Sequence, residues 1–73
     1  MTRVKIEVGG DTMEINYDEK RPVRLQDLLC ALERAILVEA LRHHGKIKAR
    51  AAEALTLLRT TLVEKVKKYE ITL

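Results

Sequence analysis

The sequence predicts a mainly α fold: an N-terminal β-hairpin, then a long dimerisation helix, then a C-terminal helix-turn-helix. Three observations lead there. Residues 4–8, VKIEV, and 13–17, MEINY, alternate apolar and polar side chains strictly, which is the period of a half-buried strand. From about Val23 to His44 apolar residues return every three or four positions, the period of a helix. Residues 46–69 then divide into two short amphipathic segments around a tight turn. One domain, 1–73, is expected, with hairpin arm 1–18, dimerisation helix 22–45 and helix-turn-helix 46–73.

In the hairpin, Val4, Ile6 and Val8 share one face with Met13, Ile15 and Tyr17, and GGDT at 9–12 supplies the turn residues. Two isolated strands are barely stable, so their apolar face needs a cover. That cover is either the helical body of the same chain, the simpler expectation, or the matching hairpin of a second chain. DEKRP at 18–22 reads as a polar connector, with Pro22 suited to the approach or first turn of a helix.

Along the long helix Leu25, Leu29, Leu32, Ile36 and Ala40 form one stripe, while Leu28, Ala31, Ala35, Val38 and Leu41 cover the neighbouring arc and Leu37 lies beyond it. Asp27, Glu33, Arg34 and Glu39 remain for the wet side. A single helix-turn-helix cannot cover so much apolar surface, and a long exposed patch marks an interface. The expected homodimer interface is Leu25, Leu28, Leu29, Leu32 and Ile36. Gly45 can close the helix in a left-handed conformation, and His43 and His44 suit its negative end. Adjacent side chains diverge by about 100° on a helix and Cys30 is the single cysteine, so no metal site is expected.

Composition narrows the function classes. Apolar residues make up 47% and charged residues 34%, as in a folded soluble protein rather than a disordered tail. No apolar run approaches the roughly 20 residues of a membrane span. One cysteine speaks for a reducing compartment, so a cytoplasmic, nucleoid location is expected. Nothing resembles a phosphate-binding glycine loop or a nucleophile with a base, so no enzyme activity and no cofactor are expected. The net charge of +3 conceals an asymmetry: residues 1–41 hold six Lys/Arg against eight Asp/Glu, residues 42–73 eight against three. Clustered positive charge at one end is the footprint of a phosphate-binding surface.

The C-terminal third carries the most specific signal. Ala51 and Ala52 are small enough to let two helices cross closely, and Leu62, Val66 and Tyr69 line the apolar stripe of the second. Ala51-Ala52, Leu55, Leu57, Arg59, Thr61-Leu62, Lys65-Val66-Lys67, Tyr69 and Ile71 fall in fixed register. In that register the stretch resembles the C-terminal DNA-binding unit of the Fis family, shared with NtrC-type sigma-54 activators. The sequence departs from the family pattern at Thr56 and Glu70, which replace glycines, and at Lys46-Ile47, which replace Gly-Asn. It departs again at Leu58, in place of a polar cap, and at Val63 and Glu64, which occupy positions often basic. A left-handed backbone at Thr56 would be strained, and Leu is a poor cap. An initiating Met and an opening hairpin favour a small protein over the excised end of a larger activator.

The resemblance implies a dimer bound to double-stranded DNA, with the helix from Arg59 entering the major groove and the preceding helix across the backbone. Arg59, Thr60 and Val63 are then nearest base edges; Lys48, Arg50, Lys65, Lys67 and Lys68 are placed for phosphates. Thr60 and Thr61 belong to the DNA-binding set through hydroxyls that cap the helix or bond phosphate, Thr61 by capping or packing first. Without Asn or Gln to read bases, low to moderate sequence specificity is expected, in transcription regulation or DNA architecture. Fis proteins carry a mobile hairpin arm that touches a recombinase, so the same layout implies a protein partner for this hairpin. The alternative is a Fis-like fold repurposed as a protein-interaction module, using Leu58, Val63 and the hairpin edge.

Overall fold

The computed structural model describes all residues from Met1 to Leu73. Its elements run β1 (Thr2–Val8), β2 (Asp11–Tyr17), α1 (Leu25–His43), α2 (Lys48–Ala54) and α3 (Arg59–Lys68). The mainly α architecture with an N-terminal hairpin is therefore as expected.

β1 and β2 form a two-stranded antiparallel sheet in which Val4 faces Ile15, Ile6 faces Met13 and Lys5 faces Glu14. The turn is shorter than the four residues expected. Gly9 and Gly10 alone make it, with φ of 56° and 88°, the two left-handed residues of a type I′ loop whose twist suits a hairpin. Asp11 and Thr12 belong to the strand.

The expectation that the hairpin covers the core is overturned. No hairpin residue enters the core cluster, and the hairpin's only substantial packing is strand on strand. Val8 is 56% and Met13 46% exposed. The reason lies in the helical body, which closes a small core from its own parts: Leu37 and Leu41 of α1, Ala51 and Ala52 of α2, and Leu62 of α3. Ala40, Leu55, Leu57, Val66, Tyr69 and Ile71 pack around it. Ile71 folds back as expected, whereas Leu73 stays largely exposed.

Leu37 is a second correction. The stripes read from the sequence left it outside, yet it is 2% exposed and among the largest fully buried side chains. Because α1 is apolar on several sides, periodicity alone could not tell its core side from its free side. α1 also starts later than expected: Pro22 and Val23 stay outside, and Arg24 precedes the helix in an extended conformation.

All three helices stop in one way. The C-cap residues His44, Leu55 and Tyr69 are each followed by a left-handed residue, namely Gly45, Thr56 and Glu70. Beyond it, an amide reaches back five residues: Lys46 to the Leu41 carbonyl at 2.7 Å, Leu57 to Ala52 at 2.8 Å, Ile71 to Val66 at 3.0 Å. These are Schellman closures. They seat Leu57 and Ile71 against the core, which fixes the turn between α2 and α3. Thr56 adopts the anticipated strained conformation at φ 57°, and its hydroxyl donates to the Leu55 carbonyl at 2.6 Å.

Candidate nucleic-acid interface

α3 turns Leu62 inward, fully buried, with Thr61, Val63, Val66 and Tyr69 half-buried beside it. Helical geometry then directs Thr60, Glu64 and Lys67, spaced by four and three, to the opposite side, and all three are exposed. The helix begins without a side-chain cap. The Arg59, Thr60 and Thr61 amides make no bond within the chain, the first amide bond of the helix being Leu62 to the Leu58 carbonyl at 3.0 Å. Free amides at a helix N-terminus suit an anion. The capping role expected of Thr61 is absent: its hydroxyl makes no hydrogen bond, and its half-buried place is that of a packing residue.

The basic residues expected at phosphates do not share one setting. Arg50, Arg59 and Lys67 are exposed and have no carboxylate in ion-pair range. Lys48 is exposed too, but lines a shallow cleft with Lys46, Val66, Ile71, Thr72 and Leu73. Lys68 lies on the α1 side of α3, with Nζ 5.2 Å from the centre of the Tyr69 ring. Lys65 is engaged elsewhere: its Nζ donates to Glu33 Oε1 on α1 at 2.8 Å.

Glu33 is the residue that sequence reasoning missed. Assigned to the wet side, it instead receives Lys65 and the Tyr69 hydroxyl, the latter at 2.9 Å on the same oxygen. A signal existed: Glu33, Leu37 and Leu41 lie on successive turns of one helix face. The hydrogen bonds from Lys65 and Tyr69 hold the Glu33 carboxyl below the ordinary glutamate value. Burial of the ring, with hydrogen bonding to Cys30 and Glu33, holds the Tyr69 phenol well above the usual tyrosine range. Glu33 thus ties α3 to α1 through two contacts on one carboxylate oxygen.

Toward the N-terminal end of α1 and along its flank, Leu25 is 69%, Leu29 49% and Ile36 40% exposed, with Leu28 and Leu32 half-buried. Leu29, Leu32 and Ile36 line one wall of an open groove of about 600 Å³, and Leu55, Leu57 and Tyr69 line the other. At the start of α3, Leu58 is 74% exposed, as its place in the sequence led one to expect. Val63 is more sheltered than expected because it sits beside the buried stripe.

Residues 29–69 match the family model described as bacterial regulatory protein, Fis family. The match takes in most of α1 and all of α2 and α3, and leaves the hairpin outside it. No solved structure matches the chain significantly.

Proposed function

The chain belongs to the Fis family of bacterial regulatory proteins, and from that premise we propose that it acts as a homodimer on double-stranded DNA. The helix-turn-helix is a DNA-binding regulatory domain. α3 enters the major groove from its uncapped end and α2 crosses the backbone. Thr60 and Arg59 lie nearest the bases. Arg50, Lys67 and the amides of the first turn of α3 hold phosphates, with Lys48 and Lys68 at the margins. The observation that carries this reading is the cationic set Arg50 on α2 and Arg59 and Lys67 on α3, exposed and unpaired, together with an α3 start that lacks a cap. Sequence specificity is low to moderate, since α3 has no bidentate amide and phosphate contacts position without specifying. The role is regulation of transcription or shaping of DNA.

Dimerisation is supported by surface area. A folded protein of 8.4 kDa exposes about 4,600 Å², whereas this chain exposes 6046 Å². The excess exceeds the roughly 800 Å² per partner of a stable interface. Leu25, Leu28, Leu29, Leu32 and Ile36 are the side chains such a contact removes from water.

The test is fluorescence anisotropy with a random duplex at several salt concentrations. Arg50→Ala and Lys67→Ala should each weaken binding and reduce the log–log salt slope by about 0.9. Lys65→Ala should leave that slope unchanged and lower stability instead, because Lys65 is committed to Glu33. Absence of salt-sensitive binding by a folded dimer would favour the protein-interaction alternative, for which the exposed Leu58 is the natural contact.

A further inference from the structure

The hairpin is the part of the chain that the helical body leaves bare. β1 and β2 are each other's only strand neighbours, so each keeps one free edge. Their register gathers Val4, Ile6, Val8, Met13 and Ile15 on one face, and a two-stranded ribbon of this kind is marginal in water until more strands or a helix join it.

We propose that β1 pairs antiparallel with β1 of a second copy, about a two-fold axis at Ile6, joining two hairpins into a four-stranded sheet. Backbone geometry comes first. A two-residue loop makes Val8 and Asp11 the hydrogen-bonded pair that closes the turn. Alternation then directs the amides and carbonyls of Arg3, Lys5 and Glu7 out of the free edge. With the two-fold at Ile6, Lys5 of each copy exchanges backbone bonds with Glu7 of the other. Ile6 meets Ile6 at the close, non-hydrogen-bonded position, and Val4 faces Val8.

Charge selects this register over its neighbours. Moving the axis to Lys5 or to Glu7 sets that residue against its own copy, and moving it to Val4 sets Arg3 against Lys5; like charges directly opposite destabilise. A shift that centres the axis between residues puts apolar side chains opposite polar ones. The free edge of β2 carries Asp11 and Glu14 and no cation, so it cannot complement itself. On the polar face the four-stranded sheet reads Glu14, Lys5, then Glu7 and Thr12 of the second copy. Lys5, which stands opposite Glu14 while that carboxylate pairs with Arg3 at 3.8 Å, thereby gains Glu7 as its own acidic neighbour. A two-fold contact closes on itself, and it gives a closed dimer together with the proposed α1 contact when one axis serves both.

The experiment is site-specific cross-linking of the full chain in a Cys30→Ser background under mild oxidation. Opposed Ile6 residues would have Cα atoms about 4.5 Å apart, within the about 4.4–6.8 Å that a disulfide spans. Ile6→Cys should therefore form a linked dimer readily. Val4→Cys alone should not, since its copies would lie about 13 Å apart, but mixed with Val8→Cys it should link. Adding Lys5→Glu or Glu7→Lys to Ile6→Cys should slow linking by about tenfold, and the double exchange should restore it. On the wild type, carbodiimide coupling of mixed isotope-labelled copies should join Lys5 of one to Glu7 of the other, which needs no variant to fold. Ile6→Cys linking no faster than Val4→Cys, or no Lys5–Glu7 product between copies, overturns the proposal. Neither readout involves DNA, so this proposal and the DNA-binding one fail separately.

Discussion

Thr56 and Glu70 show how a family position can keep its conformation after losing its glycine. Both sit left-handed at φ 57° and 51°, and a side chain there costs about 1–2 kcal/mol relative to the right-handed region. The five-residue back-bonds from Leu57 and Ile71 hold them in place. Thr56→Gly and Glu70→Gly should each raise stability by about 1 kcal/mol, read from denaturant midpoints at unchanged slope. Glu33 acts in the other direction. Its carboxyl is held below the ordinary value of 4.5, so its contribution is complete above that value and is lost as pH falls through the lower folded value. With side chains 40% and 29% exposed, solvent screens the Glu33–Lys65 pair, and Glu33→Gln should cost about 0.5–1 kcal/mol at neutral pH. The variant's stability should also fall less steeply on acidification, as checked by thermal melts from pH 7 to about 3.

Among the elements, α2 decides how closely the pair of helices can cross. Ala51 is 0% and Ala52 2% exposed, packed with Leu37, Leu41 and Leu62. Nothing larger fits without moving α3, so Ala52→Leu should overpack the crossing and cost about 1–3 kcal/mol. Because that substitution shifts the presenting angle of α3, it should weaken DNA binding beyond the loss in stability, as anisotropy at a temperature where the variant is fully folded would read. The helix-turn-helix was legible from its alanine pair and the Leu62–Val66–Tyr69 stripe, since close crossing admits few residue types. The standing of Lys65 and Lys68 was not legible, because a lysine on a helix looks alike in sequence whether it faces solvent or a carboxylate on another helix.

Taken together, the parts leave the monomer extended. Its radius of gyration is 13.9 Å, against about 11 Å for a compact chain of this length. Only five residues are buried, all in the helical body. The hairpin, which packs substantially only on itself, accounts for this shape and leaves its apolar face and the leucines of α1 exposed. In the proposed homodimer, Leu29→Glu with Ile36→Glu should remove the α1 contact and weaken self-association in sedimentation velocity while the helical circular dichroism persists. A dimer unmoved by that pair would remove α1 from the interface.

Strand alternation, helix period, the left-handed closure at Gly45 and the family register were all properties of the linear order, because each depends on neighbours within about four residues. The side of α1 that faces the core, the partner of Lys65 and the separation of hairpin from helices depend on contacts between elements far apart in the chain. Glu33 and Lys65 are 32 residues apart, and nothing local links them. Those features were decided when three helices closed a core too small to include the hairpin, leaving its strands and the leucines of α1 in water.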